Sequence, residues 1–247
     1  MGSKNRISKY IVPIIQSYID KYHINTYVEP FVGGANIIDK IRCNNKIGYD
    51  KNKYLIALLQ NVNKIKELPD NISKSHYDDV RKSFYKHDNR YEDWYIGAVG
   101  FLASYNGRFF DGGFAKNNYT KQSSGHIVFR NYFKEAKQNL IKQIPNLKNI
   151  RFENQDYINL HNISNSCVYC DPPYQNSKHY MVDKNFDYSK FWKWIRNVSK
   201  NNIVLISEFN APKDMKCLWE HKVSTQINSK RYKFTEKLFI ANVTYWS

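Results

Sequence analysis

The chain reads Cys167-Val168-Tyr169-Cys170-Asp171-Pro172-Pro173-Tyr174 at its most informative point. The four apolar residues at its start predict a short buried strand. Proline cannot donate to a strand ladder and restricts the residue before it, so Pro172 and Pro173 end the strand sharply. Asp171 and Tyr174 are therefore expected at the carboxyl end of a strand, where ligands bind in open α/β sheets. A carboxylate beside an aromatic ring suits a planar base with an exocyclic amine; a plain proline turn with a capping Asp171 is the alternative.

The charge balance favours a polyanionic partner. The 247 residues contain 38 Lys and Arg against 22 Asp and Glu, which gives a net charge of +16 and a pI near 9.5. The excess is spread along the chain rather than held in a tail, so it belongs to a folded surface. Because Lys and Arg neutralise phosphates, nucleic acid is the simplest partner. A ribosome-associated or simply basic protein would show the same balance.

The cysteines and the hydropathy pattern predict a soluble protein without a metal. Cys167 and Cys170 lie in an apolar run with no further zinc ligands at matching spacing, so we expect buried structural thiols. Four cysteines in a chain of this length make no disulfide framework. The sequence contains no signal peptide and no apolar stretch of membrane-spanning length, which predicts an intracellular protein with no membrane partner.

A glycine turn near the amino end predicts a ligand site. Residues 26–31 form a β-prone run that leads into Gly33 and Gly34, and the isoleucines of residues 37–41 predict a helix after the turn. Paired glycines let the backbone approach a ligand, and a helix start offers free N–H groups. The pattern is neither G-x-G-x-x-G nor a P-loop, so a nucleoside cofactor without phosphates fits better than NAD or a nucleoside triphosphate.

Asp50 is the second candidate in this half of the chain. It ends a short strand over residues 46–49 and follows Gly33 by 17 positions. A carboxylate about 20 residues after a glycine turn holds ribose hydroxyls in dinucleotide folds, and the geometry transfers to other adenosine-bearing cofactors. The alternative is an N-cap for a helix predicted over residues 54–62.

Between residues 64 and 145 the pattern changes to helices around a basic, glycine-rich loop. Helical periodicity covers residues 95–104 and 132–144, and residues 105–114 contain three Gly, three Phe and Arg108. Arg can read a guanine edge or hold a phosphate, and aromatic rings can stack on bases. We predict an inserted, mostly helical subdomain that contacts nucleic acid; a solvated helical face with an ordinary turn is the alternative.

The remaining segments predict an α/β fold. An amphipathic helix is expected over residues 10–19, strands over 150–154 and 203–207, and a helix around Phe191 and Trp194. The continuous apolar run of residues 203–207 is typical of a parallel sheet. Residues 175–190 form a polar loop, and residues 223–245 form a strand-rich tail that suggests an antiparallel edge.

These motifs occur in the order found in one enzyme family. The chain resembles the Dam-type (D12 class) DNA adenine-N6 methyltransferases in its F-x-G-G turn (Phe31 to Gly34), Asp50, Asp156-Tyr157 and the Asp171-Pro172-Pro173-Tyr174 tetrapeptide. The resemblance spans essentially the whole chain. It implies a Rossmann-like, S-adenosylmethionine-dependent methyltransferase domain over residues 1–63 and 146–247, with residues 64–145 as the inserted target-recognition subdomain.

The resemblance also implies roles for individual residues. Phe31, Gly33 and Gly34 would border the methionine and sugar of S-adenosylmethionine, and Asp50 would hold the ribose hydroxyls. The implied neighbours of the cofactor adenine are Asp156 and Tyr157, with Tyr10 as a further cofactor neighbour.

On the substrate side, the resemblance implies an adenine flipped out of double-stranded DNA. Asp171 and the Pro172 carbonyl would accept hydrogen bonds from its amine, Pro173 would complete the turn and Tyr174 would stack on the base. Candidate DNA contacts are Asn106, Arg108 and Lys116. After the shared Tyr-Asn-Gly the loop departs from that of GATC-specific members, so GATC specificity is not implied.

Other functions fit the same residues. Relatives that methylate cytosine N4 usually have Ser where this chain has Asp171, so adenine is favoured; a cytosine-N4 or RNA amino-methyltransferase is the runner-up. A catalytically silent DNA-binding homologue would keep the fold but not the intact motifs. A cognate restriction endonuclease is a further partner that such enzymes have.

Overall fold

The computed structural model describes residues 4–121, 124–174, 186–227 and 230–241. Most of the predicted polar loop, residues 175–185, lies outside the described residues, as do residues 242–247 of the predicted tail.

Helices and strands alternate along most of the chain. The helices are α1 (Asn5–Lys21), α2 (Lys53–Gln60), α3 (Lys74–Lys86), α4 (Asp93–Leu102), α5 (Tyr132–Leu147) and α6 (Tyr188–Val198). The strands are β1 (Thr26–Glu29), β2 (Asn45–Asp50), β3 (Asn118–Lys121), β4 (Ile127–Arg130), β5 (Ile150–Asn154), β6 (Ser166–Cys170), β7 (Ile203–Glu208), β8 (Met215–Ile227) and β9 (Lys230–Ala241).

The chain divides into two compact units. One unit consists of Asn52–Asn154, and the other combines Lys4–Lys51 with Gln155–Ser247. We call them the insert and the core unit. The core unit contains the glycine turn, Asp50 and the Asp171–Tyr174 segment, and the insert contains the basic loop.

The core unit contains a mostly parallel sheet. Neighbouring strands follow the order β2-β1-β6-β7-β9-β8; the first four are parallel and the last two join antiparallel. Val28 pairs with Ile47 on one side and with Val168 on the other, and Val168 pairs with Val204. This topology confirms the predicted Rossmann-like α/β fold, and β8 and β9 form the antiparallel edge.

Burial of β6 and β7 explains their continuous apolar sequences. Every residue of both strands is buried, because helices cover parallel sheets on their faces. Helix α1 is longer than the predicted residues 10–19, and Ile7, Ile11, Ile15 and Ile19 form its buried stripe at helical spacing. Cys167 and Cys170 are buried free thiols in β6.

The helix predicted after the glycine turn is wrong. The segment contains turns and one short 3₁₀ turn, Ile38–Lys40, before β2 begins at Asn45. Ile37, Ile38 and Ile41 are all buried, so their spacing reflects packing of an irregular segment rather than a helical face. Asn52 also replaces Asp50 as the N-cap of α2, since its side chain accepts from the Tyr54 and Leu55 N–H groups at 3.0 and 3.2 Å.

The insert consists of α2 to α5, the hairpin β3–β4 and β5. Helices α2 and α4 pack closely because Gly97 lies at their contact: a Cβ there would be 2.1 Å from the Tyr54 carbonyl oxygen. Helix α3 begins at a Ser73 N-cap, and α5 begins at an Asn131 cap.

Candidate active site

Sequence-predicted site residues of the core unit follow the carboxyl ends of its parallel strands. Phe31 follows β1, Asp50 ends β2, and Asp171 follows β6. Because β2, β1 and β6 are adjacent and parallel, these three residues lie at one edge of the sheet. This is the edge at which open α/β sheets bind ligands.

Asp50 and the glycine turn are in direct contact. The Gly33 N–H donates to Asp50 Oδ2 at 3.2 Å, and the Val32 N–H donates to the Tyr49 carbonyl at 2.8 Å. Gly33 has a φ of 50°, a conformation that glycine adopts without strain. The turn is therefore fixed against the end of β2, and the Asp50 carboxylate lies beside its backbone.

Gly34 lies against the side chain of Asn36. A Cβ at this position would lie 2.7 Å from Asn36 Nδ2, so a larger residue would displace that amide. The Asn36 amide ends a flexible side chain, so a small shift of it would make room for the Cβ.

An aromatic cluster borders the turn. The rings of Phe31 and Tyr157 are 5.1 Å apart, and Phe191 and Phe186 contact both. Burial raises the pKa of Tyr157 to about 12, so its hydroxyl is neutral at physiological pH. We call Phe31, Gly33, Gly34, Asp50 and Tyr157 the cofactor-side group, after the role that the sequence predicts for them.

Asp156 has a structural partner beside this group. Its Oδ1 accepts from the Ile158 N–H at 3.1 Å and so caps the short 3₁₀ turn Tyr157–Asn159. A carboxylate has several acceptor positions, so this bond leaves capacity for a ligand.

Asp171 lies in a cluster of charged side chains that the sequence did not reveal. Lys4, at the N-cap of α1, places its ammonium 3.1 Å from Asp171 Oδ1 and 3.4 Å from Glu236 Oε2 of β9. The same ammonium donates to the Tyr174 hydroxyl oxygen and lies 4.2 Å from the centre of the Tyr174 ring. We call Lys4, Asp171, Tyr174 and Glu236 the ionic cluster.

Tyr174 is held on several sides. Its hydroxyl donates to Glu236 Oε2 at 2.9 Å, and its ring contacts Phe209 edge-on at a centroid distance of 4.6 Å. Phe209 contacts Phe234 of β9 in turn. The Pro173 carbonyl before it accepts from the Tyr188 hydroxyl, so the Pro-Pro-Tyr turn is tied to α6.

Burial and charge shift the ionisation of the cluster. Burial raises the pKa of the Asp171 carboxyl above its usual range, although the Lys4 ammonium opposes the shift. Burial lowers the pKa of Lys4, but the Asp171 and Glu236 carboxylates outweigh it and the pKa is raised. Burial and the same carboxylates raise the pKa of Tyr174 well above its usual value. Lys4 is therefore a firmly charged ammonium between two carboxylates.

Tyr10, a predicted neighbour of the cofactor, packs against β8. Its ring stacks on Trp219 at 5.6 Å and contacts His221 at 5.1 Å, both on β8. These contacts join α1 to the antiparallel edge of the sheet and give Tyr10 a packing role.

The three predicted DNA contacts lie on the loop of the insert. Asn106 is exposed with a φ of 55°, and Lys116 is exposed. Arg108 is partly buried and forms an ion pair with Asp111 of the same loop. Its guanidinium is thus oriented by the loop itself.

Sequence reasoning missed an apolar hairpin in the insert. Strands β3 and β4 pair in register, and their exposed side chains include Tyr119, Ile127 and Phe129, whose exposed fractions are 74%, 71% and 53%. The Tyr119 and Phe129 rings contact each other at 5.2 Å. The signal in the sequence is two short β-prone segments on either side of Gly125, and the longer helical patterns that flank them are stronger.

A family profile matches most of the chain. The profile described as "D12 class N6 adenine-specific DNA methyltransferase" covers residues 1–202. The chain belongs to this family. It is therefore an adenine-specific DNA methyltransferase, as the motif order predicted, and DNA is its substrate.

Solved structures resemble this methyltransferase only distantly. A protein of Haemophilus influenzae described as a methylase gives a TM-score of 0.37 at 9% identity, covering 95% of this chain and 87% of that one. An rRNA methylase from Streptococcus thermophilus gives a TM-score of 0.35 at 6% identity, covering 94% and 97%. Both scores are low, so the family assignment rests on the profile and the fold assignment on the strand order. No curated protein matches this methyltransferase at a significant level.

Among residues 4–121, 124–174, 186–227 and 230–241, no three His, Cys, Asp or Glu side chains are grouped to hold a metal ion. In the same ranges, no helix is both long and apolar enough to cross a membrane.

Proposed function

We propose that the methyl donor is S-adenosylmethionine and that the cofactor-side group binds it. The Asp50 carboxylate beside the Gly33 backbone is suited to ribose hydroxyls, and the Phe31–Tyr157 rings are suited to an apolar or π contact. Gly34 keeps the turn free of a side chain next to this position. Asp156 would approach the adenine amine with its remaining acceptor capacity.

We propose that Asp171 and Tyr174 receive the target adenine. The observation that carries this proposal is the carboxylate fixed at the carboxyl end of β6, with the Tyr174 ring three residues later and held by Phe209. A base inside a duplex is out of reach, so enzymes of this kind flip it into a pocket. The Tyr174 ring would stack on the flipped base.

The chain's own groups would activate the adenine amine. Its nitrogen lone pair is delocalised into the ring, and hydrogen bonds to the Asp171 carboxylate and the Pro172 carbonyl would localise it. The same bonds stabilise the positive charge that develops on nitrogen, which is a selective stabilisation of the transition state. When bound, S-adenosylmethionine would supply the methyl group and become S-adenosylhomocysteine, and the methylated amine would release one proton to solvent.

The insert is proposed to hold the duplex. Arg108, Lys116 and Asn106 offer polar and charged contacts, and the exposed hairpin adds aromatic rings that can stack on or wedge between bases. Substitution of Tyr119 by Ala should weaken DNA binding by about 5- to 150-fold, because stacking on a base contributes about 1–3 kcal/mol. Fluorescence anisotropy with a labelled duplex measures this, and Tyr85→Ala, an exposed tyrosine on α3, is the matched control.

Methylation of unmodified genomic DNA tests the proposed function. The purified protein is incubated with S-adenosylmethionine and the DNA, and modified bases are mapped by single-molecule sequencing. N6-methyladenine at one short motif, absent with Asp171→Ala, is the expected result, and it reveals the recognition sequence. N4-methylcytosine would establish the runner-up chemistry, label in RNA alone would establish an RNA enzyme, and cofactor binding without transfer would indicate the silent homologue.

Three further proposals lie outside this experiment. The sequence predicts that the core unit carries the catalysis and the insert recognises the target. It also predicts a cognate restriction endonuclease and an intracellular location.

A further inference from the structure

Lys4 places a charged ammonium in a site that is largely removed from water. Its side chain is 11% exposed, and those of Glu236 and Asp171 are 13% and 22% exposed. Charges removed from water to this degree are costly unless they are paired and hydrogen-bonded. An ammonium has three donors, and Lys4 directs them at three acceptors: Asp171, Glu236 and the Tyr174 hydroxyl.

Lys4 holds two carboxylates that would otherwise repel each other. Glu236 and Asp171 both contact the one ammonium, so the three groups carry a net charge of −1. Without the ammonium, two carboxylates in a desolvated site cannot both ionise readily, and one would take up a proton. A protonated Asp171 would lose acceptor strength toward the amine of the target base.

We propose that Lys4 and Glu236 are positioning residues for methyl transfer. The Lys4 ammonium keeps the Asp171 carboxylate ionised and oriented as an acceptor, while Glu236 anchors both Lys4 and the Tyr174 hydroxyl. This inference rests on the proposed role of Asp171 and Tyr174 in holding the target adenine. It assigns a part in the reaction to the start of α1 and to strand β9, neither of which belongs to the Asp171–Tyr174 segment or the glycine turn.

Several titratable groups besides Lys4 and Glu236 also influence the ionisation of Asp171. The groups that act on it are Lys4 at the start of α1, Glu29 of β1, Tyr169 and Cys170 of β6, Tyr174 of the turn and Glu236 of β9. Burial raises the pKa of Glu29 well above its usual value and favours its neutral form. Burial likewise raises the pKa values of the Tyr169 hydroxyl and the Cys170 thiol. Removing the charge of Lys4 or of Glu236 should therefore change the pKa of Asp171 more than removing any of the other groups.

The test is the pH dependence of single-turnover methyl transfer, with cofactor and DNA saturating. Transfer requires ionised Asp171, so the rate falls as the pH drops through the pKa of that group. Lys4→Met should move this acid limb upward by about one pH unit or more, since a lost opposite charge favours the protonated carboxyl. Glu236→Gln alone should move the limb downward, because a like charge has been removed.

The double variant Lys4→Met with Glu236→Gln separates a charge effect from a packing effect. If the positions act through charge, the second substitution returns the acid limb toward that of the unmodified protein. Lys4→Arg should leave the limb within a few tenths of a pH unit. The matched controls are Lys21→Met, an exposed lysine at the end of α1, and Glu220→Gln, an exposed glutamate on β8.

Three results would overturn the inference: an unchanged limb in Lys4→Met, shifts of the same sign in both single variants, or no return in the double variant. If Lys4→Met does not fold by circular dichroism, the sign of the Glu236→Gln shift decides the matter. Asp171→Asn is measured alongside. Full transfer in Asp171→Asn would refute the proposed role of Asp171 itself. If Asp171→Asn loses transfer but the Lys4 and Glu236 variants show no shift of the acid limb, only this inference is refuted.

Discussion

The cofactor-side group and the ionic cluster lie at the same edge of one sheet but are built from different interactions. The cofactor-side group combines aromatic rings, backbone N–H groups and a single carboxylate, Asp50. The ionic cluster combines an ammonium with two carboxylates and a phenol. The first arrangement is suited to holding a nucleoside, and the second is suited to tuning the charge and direction of one acceptor.

The comparison shows how the two tasks of a methyltransferase place different demands on the chain. Holding a cofactor needs shape and a few hydrogen bonds, which short motifs supply. Polarising an amine needs a carboxylate that stays ionised although it is desolvated, and this requires charges from distant segments. Substitutions in the two groups should therefore separate binding from rate.

The largest effect is expected for Asp171→Asn. The amide keeps the size of the side chain but loses the negative charge that stabilises the developing cation. Single-turnover transfer should fall by about 10²- to 10³-fold, the range found when one electrostatic donor or acceptor is removed from a site. Calorimetry should show an unchanged dissociation constant for S-adenosylmethionine. A larger dissociation constant would mean that Asp171 also contributes to cofactor binding.

The converse change is Asp50→Ala in the cofactor-side group. Hydrogen bonds to a charged group contribute about 1.5–3 kcal/mol of binding free energy, so their loss should raise the cofactor dissociation constant by about 10- to 100-fold. At saturating cofactor the transfer rate should stay close to normal. Asp20→Asn, at an exposed carboxylate on α1, is the control, and an unchanged dissociation constant in Asp50→Ala would remove Asp50 from cofactor binding.

The pH dependence of methyl transfer reports the ionisation of Asp171 in the ionic cluster. Because burial raises the pKa of Asp171, the transfer rate should begin to fall at a pH above the ordinary carboxyl value of about 4. The sign follows from the role: ionised Asp171 is the active form, so acid removes activity and base restores it. Rate measurements between mildly acidic and neutral pH check this, and a profile that is flat down to the ordinary value would contradict it.

The smallest effect is expected for Tyr157→Leu. The substitution keeps an apolar side chain but removes the ring contacts with Phe31 and Phe191. Such contacts contribute about 0.5–1.5 kcal/mol beyond burial, so cofactor affinity should fall by about two- to tenfold. A matched Tyr49→Leu variant, at a buried tyrosine of the same core, reports general destabilisation by its melting temperature.

The sequence predicted the parallel strands, the glycine turn and the place of Asp50 at the end of a strand, because each is specified locally. The contact between Gly33 and Asp50 spans only 17 residues, within one strand–turn–strand segment. The helix predicted after Gly34 failed because three buried isoleucines mimic helical spacing in an irregular segment. Asn52 took the capping role because it directly precedes α2.

The ionic cluster could not be predicted from local patterns. Lys4 and Glu236 are 232 residues apart in the chain, and Glu236 is one of several polar residues on β9, a strand between β7 and β8. Only the tertiary arrangement of α1, β6 and β9 brings them to Asp171. Lysines of a strongly basic chain are expected at the surface, so nothing in its local sequence distinguishes Lys4 from the others.

The most direct measurement is the identity of the base that receives a labelled methyl group in a single turnover. Duplex DNA is incubated with excess enzyme and methyl-labelled S-adenosylmethionine, digested to nucleosides and separated by chromatography. We predict that the label appears in N6-methyladenine with the unmodified protein and appears about 10²- to 10³-fold more slowly with Asp171→Asn, although both bind the cofactor equally. Label in N4-methylcytosine, or undiminished N6-methyladenine with Asp171→Asn, would contradict the account.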